Sequence, residues 1–140
     1  FILFGPNDDI VRYGSFDSTS DPENPDRPKG RVIEKDGWKR RDVYFKASDG
    51  TQCHGWFYVP IDSGTDPLPV VLMASGMGAQ IDFGMDTYAE YFASQGGFAC
   101  FLFDYRNFGS SEGLPRNLVD PWRHLDDWRS ALTFLKDTAG

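Results

Sequence analysis

The sequence predicts an α/β fold in which an antiparallel hairpin leads into a mostly parallel sheet flanked by helices. Three observations predict it. Residues 41–60 alternate apolar and polar side chains on either side of an Asp49-Gly50 turn. Two later runs, "VVLMA" at 70–74 and "FACFLFD" at 98–104, are apolar without alternation. Each of these runs is followed, after a loop, by an amphipathic helical pattern.

In "RDVYFKA", Val43, Phe45 and Ala47 fall on one face of a strand. The Asp49-Gly50 pair turns the chain, and "QCHGWFYVP" returns as a second strand stopped by Pro60. "VVLMA" and "FACFLFD" suit strands covered on both faces, because alternation disappears when neither face is wet. Between them, "DTYAEYFASQGG" predicts a helix capped by Asp86, with an apolar stripe of Tyr88, Tyr91 and Phe92, ended by Gly96-Gly97. The last helix opens with Asp120 as cap and Pro121 at its first position. Its predicted stripe is Leu125, Trp128, Leu132 and Leu135, with Arg123–Asp127 and Asp126–Arg129 spaced to pair on the wet side. Ahead of all this, residues 1–40 form a lead-in of uncertain structure: an apolar "FILF", then a linker-like stretch holding Pro22, Pro25 and Pro28. The domain itself is expected over 41–140.

The chain has 140 residues, 40% of them hydrophobic, enough to bury a core, and a net charge of −7. That charge argues against nucleic acid or an anionic membrane surface as partner. No apolar run approaches the roughly 18 residues of a membrane span. Cys53 and Cys100 lack metal-site spacing and fall in strand-like runs, which predicts two buried thiols, with a single disulfide open if the strands are neighbours.

The chemistry turns on "GSSEG". Gly109-Ser110-Ser111-Glu112-Gly113 spells G-x-S-x-G, the pattern of a serine nucleophile elbow. An elbow needs its serine directly between a buried strand and a helix. Ser111 fails that test: "YRNFGS" separates it from the strand, and "EGLPRN", with Pro115, forbids an immediate helix. Ser111 is therefore expected in a loop whose glycines serve turns.

"VVLMASGMGA", "YAEYFASQGGFACFLFDYRNFGSSEG" and "DPWRHLDDWRSAL", in this order, resemble the N-terminal half of an α/β-hydrolase-fold serine hydrolase, with the esterase- and peptidase-like members most similar. The resemblance covers Arg41 onward. Asn107 departs from it, standing where those members have Gly, and Asn tolerates the left-handed backbone such a turn requires.

The resemblance implies that the hairpin gives the first two strands, with "PVVLMA" the third and "FACFLFD" the fourth. The fold's order of Ser, then Asp/Glu, then His implies that nucleophile, acid and histidine all follow Gly140. The 140 residues alone are then expected to be inactive and to be a piece of a longer chain. Their fourth strand is expected to lack neighbours. The second and fourth strands are neighbours in this fold, which would bring Cys53 and Cys100 close.

The resemblance also places an oxyanion loop after the third strand, at Ser75, Gly76, Met77 and Gly78, with Met77 as the backbone donor. It implies no metal or organic cofactor, and a small-molecule or peptide substrate. A non-catalytic binding module on the same fold is the alternative.

Asp104, Tyr105 and Arg106 end a parallel strand, the edge where open α/β sheets bind ligands. A buried Asp104–Arg106 pair holding the loop is expected there. His54 and His124 have no nucleophile suitably placed in sequence and are expected to be structural or solvent-facing. Asp126-Asp127 reads as a solvated helix face.

Overall fold

A computed structural model describes residues 2–4, 32–64 and 67–137. Its elements are β1 (Ile2–Phe4), β2 (Ile33–Lys35), β3 (Trp38–Lys46), β4 (Gln52–Pro60), β5 (Val70–Ala74), α1 (Met85–Gln95), β6 (Ala99–Phe103) and α2 (Pro121–Asp137). They form one six-stranded sheet in the order β1-β5-β6-β4-β3-β2. The β3–β4 hairpin is antiparallel and pairs through β4 with β6, and β5 and β6 run parallel. The sheet is thus mixed, with the parallel pair at the site end. β3 begins at Trp38 and β2 pairs with it, so the regular sheet extends ahead of Arg41. The "FILF" segment contributes β1, antiparallel to β5.

The two continuous apolar runs are divided residue by residue between two cores. Val70, Leu72, Phe101 and Phe103 pack with Ala131 and Leu135 of α2. Val71, Met73, Cys100 and Leu102 pack with Ala89 and Ala93 of α1. A period-two chain between two helical layers needs apolar side chains at every position, which is why no alternation was visible. Gly55 of β4 is required by closeness: a Cβ there would lie 2.5 Å from Phe101 Cε2 and 2.8 Å from the Leu102 carbonyl oxygen.

Several expectations change. Tyr88 and Tyr91 do not anchor α1; they are 58% and 64% exposed, and the helix rests on Ala89 and Ala93. Small side chains let the helix lie close to the sheet, and the tyrosines turn outward. Gly84, not Asp86, precedes the helix, and Asp86 sits in its first turn, where a negative charge suits the helix dipole. In α2 the cap is as expected, with the Trp122 and Arg123 N–H groups donating to Asp120 Oδ1 at 3.2 Å. Its buried face is His124, Asp127, Ala131 and Leu135, while Leu125 is 49% exposed. β6 has a strand on each side, so the outer edge of the parallel pair belongs to β5 and carries β1.

Cys53 and Cys100 are both buried and both free. β4 and β6 are neighbours, but Cys100 is opposite Tyr58, and the two thiols point to opposite faces of the sheet. No disulfide joins them. No helix among the described residues is long and apolar enough to cross a membrane.

Candidate active site

The ends of β5 and β6 open into two loops that share one carboxylate. After β5, the Ala79 N–H donates to the Gly76 carbonyl at 3.1 Å, closing a turn over 76–79. Gly78 has φ +81°, the positive value that position i+2 of a type II turn demands. Met77 is therefore position i+1. Its side chain is 71% exposed, and its N–H donates to no other described residue. Ser75 is 4% exposed, and its Oγ has no partner among the described residues. Gly76 and Gly78 leave the space beside the backbone open. Phe83, farther along the loop, is 66% exposed.

Asp104 fixes this loop from β6. Its Oδ1 accepts the Ile81 N–H at 2.9 Å, and Ile81 is buried against Val71 and Met73. Its Oδ2 accepts the Ser110 N–H at 3.2 Å. Asp104 thus connects the 75–84 loop with the 105–113 loop. It does not pair with Arg106, as the sequence suggested.

Arg106 turns to α2 instead. Its Nε donates to Asp127 Oδ1 at 2.7 Å, its backbone N–H to Asp127 Oδ2 at 3.0 Å, its Nη2 to Asp126 Oδ2 at 2.7 Å and its Nη1 to Asp49 Oδ2 at 2.8 Å. Asp126 also accepts the Ser48 hydroxyl at 2.6 Å. One guanidinium therefore ties the loop after β6 to α2 and to the hairpin turn. Asp126-Asp127 is no solvated face: Asp127 is fully buried. Burial pushes its carboxyl above the usual range even with Arg106 against it. Asp126 is held low, first by the Ser48 hydroxyl and then by Arg106. Arg123 pairs with Asp120 at 3.5 Å, not with Asp127.

Tyr105 packs under α2. Its hydroxyl accepts from Trp128 Nε1 at 2.8 Å, and its ring stacks on His124 at 4.2 Å between centroids. His124 is buried and its ring is held below the ordinary histidine range by burial.

Ser111 is 3% exposed, and its hydroxyl is committed twice. It donates to the Asp104 carbonyl at 2.7 Å and accepts the His54 N–H at 2.9 Å. Its neighbour Glu112 donates its N–H to the Gln52 carbonyl at 2.8 Å. Ser111 staples the loop to β4, and no helix follows it until Pro121. Asn107 takes φ +71°, the left-handed backbone expected there from the sequence.

Sequence reasoning missed the surroundings of His54. The ring is buried, with Nε2 at 2.8 Å from Asp42 Oδ1 and Nδ1 at 3.8 Å from Asp104 Oδ2. Burial draws its proton affinity down, but the two carboxylates outweigh burial and hold it above the ordinary range. The register of the hairpin, Tyr44 opposite His54 and Asp42 opposite Trp56, brings these groups together.

No family model matches the chain. Among curated relatives, the quorum-quenching protein AidA of Acinetobacter baumannii (strain MDR-ZJ06) is 37% identical over 95 residues, covering 68% of this chain and 30% of its own length. The thiohydrolase aneE of Aspergillus aculeatus is 36% identical over 99 residues, covering 71% of this chain and 30% of its own. Among solved structures, the α/β hydrolase GrgF from Penicillium sp. superimposes with a TM-score of 0.62 at 29% identity, covering 70% of this chain and 32% of that one. By fold and by these similarities the chain belongs to the α/β hydrolases. It spans about a third of the length of the relatives it matches.

Proposed function

We propose that the protein is a serine hydrolase that cleaves an ester, thioester or amide bond through an acyl-enzyme. In this reading the nucleophile, acid and histidine follow Gly140, residues 41–140 open the hydrolase domain, and residues 1–40 lead into it while adding β1, β2 and the start of β3 to its sheet. The observation that carries the reading is the 76–79 turn at the end of β5, which presents the Met77 N–H with no described acceptor. A backbone donor at that place would stabilise the oxyanion formed when a serine attacks a carbonyl carbon. Collapse of that intermediate expels the alcohol, thiol or amine, and water then releases the acyl group. Ser75, Gly76 and Gly78 shape the turn, and Asp104, Tyr105 and Arg106 hold the neighbouring loop. The name thiohydrolase, borne by two of the relatives, makes thioesters the first substrates to screen.

A fluorophosphonate probe on the full-length protein tests this. Labelling of a serine beyond Gly140 is the expected result; a folded protein that takes no label would leave the binding-module reading. Ser111→Ala should keep the label and lose about 1–3 kcal/mol of stability, because two buried partners lose their hydroxyl. Loss of labelling in a folded Ser111→Ala protein would mean that Ser111 is the nucleophile after all.

A further inference from the structure

We infer that His54 is a positioning residue: wedged between Asp42 and Asp104, it steadies, when both ring nitrogens carry protons, the carboxylate that holds Ile81, in the same loop as Met77. The inference rests on the hydrolase reading for its purpose, but on geometry for its content.

A carboxylate only accepts hydrogen bonds. Asp42 Oδ1 lies 2.8 Å from His54 Nε2 and also accepts Trp56 Nε1–H at 2.9 Å, so Nε2 must carry a proton. The question is the other nitrogen. His54 Nδ1 has no hydrogen-bond partner among the described residues and lies 3.8 Å from Asp104 Oδ2. In the singly protonated ring, a lone pair on Nδ1 faces a carboxylate oxygen at a site only 4% exposed. In the doubly protonated ring, an N–H faces the same anion. The second arrangement is attractive and the first repulsive, and low exposure magnifies the difference.

The consequence runs through Asp104. Its two oxygens hold the Ile81 and Ser110 N–H groups, one from each loop of the site. A proton on His54 Nδ1 gives that carboxylate its counter-charge. Without it, the carboxylate keeps only neutral donors and has reason to shift, and Ile81 with it. The charges around the ring are few. β3 contributes Asp42, with Arg40 behind it over the Trp56 ring at 4.1 Å, and the Tyr44 ring lies 5.1 Å from the imidazole. The end of β6 contributes Asp104. On the α1 side, Asp86 and Glu90 act on Tyr58 farther along β4.

The sign is definite. A histidine whose folded proton affinity is raised stabilises the fold below its unfolded pKa of about 6.5. That contribution is lost as pH rises through the higher folded value.

The test is a pH titration of the full-length protein carrying 15N-labelled histidine and isoleucine, from about pH 5 to 9, across the range in which histidines titrate. Ile81 is assigned through Ile81→Val. The expected result is that the His54 ring loses its Nδ1 proton above the ordinary histidine midpoint and that the Ile81 amide shifts with the same midpoint. Asp42→Asn should lower that midpoint, and His54→Gln should leave the Ile81 amide flat. An Ile81 amide that stays flat in the wild type while His54 titrates overturns the inference, as does a ring neutral throughout. The wild-type titration decides even where a variant fails to fold. Fluorophosphonate labelling is scored separately. A labelled protein with an uncoupled Ile81 keeps the hydrolase reading and removes this one; an unlabelled protein with coupled titrations does the reverse.

Discussion

Met77→Pro should lower kcat by about 10²–10³ and change KM little, the loss typical of one oxyanion donor. The substitution is unusually clean at this position. Met77 is i+1 of a turn whose next residue, Gly78, has a positive φ, and proline is favoured at i+1 of such turns. The backbone path is kept and one N–H is removed. Met77→Ala is the control: the side chain is 71% exposed, so its loss should leave both constants near wild type. Steady-state kinetics on the full-length protein, with a melting curve for each variant, separates the outcomes. A folded Met77→Pro protein with wild-type kcat would remove Met77 from the site.

The largest effect on stability should come from Arg106→Met, at about 3–5 kcal/mol, the usual cost of stripping one partner from a buried ion pair. Asp127 is fully buried and the Arg106 side chain is 5% exposed. Methionine leaves the backbone N–H of residue 106 for Asp127 but removes the guanidinium that also holds Asp126 and Asp49. Burial already pushes the Asp127 carboxyl up, so the loss should be greatest at neutral pH and shrink in acid, where Asp127 takes a proton. Arg106→Met with Asp127→Leu should recover part of the loss, since neither charge then remains buried alone. Denaturant midpoints at neutral and acid pH give both comparisons. A single-variant cost below about 1 kcal/mol would place this pair with surface salt bridges.

What the sequence made legible was local. The doubly covered strands, the Asp120 cap and the place of Ser111 in a loop with no helix directly after it follow from runs, spacings and turn residues a few positions apart. What stayed hidden was settled by distance along the chain. Asp126-Asp127, set among arginines on a helix, reads as a wet face because its true partner, Arg106, belongs to a loop outside the helical pattern. Asp42 reads as the polar half of an alternating strand, and only register sets it against His54 and Trp56. The tyrosines of α1 are the larger side chains and draw the eye as its stripe, yet it is the small alanines that admit the helix to the sheet.

The two cysteines give the molecule a chemical reporter on each side of its sheet. Burial pushes both thiols up to about 12, so neither is a thiolate at neutral pH while the fold is closed. An alkylating reagent must wait for an opening. Modification of Cys53 times the separation of the α2 layer, and modification of Cys100 times that of the α1 layer. Equal rates mean that the sheet sheds both helices in one event; unequal rates name the helix that leaves first.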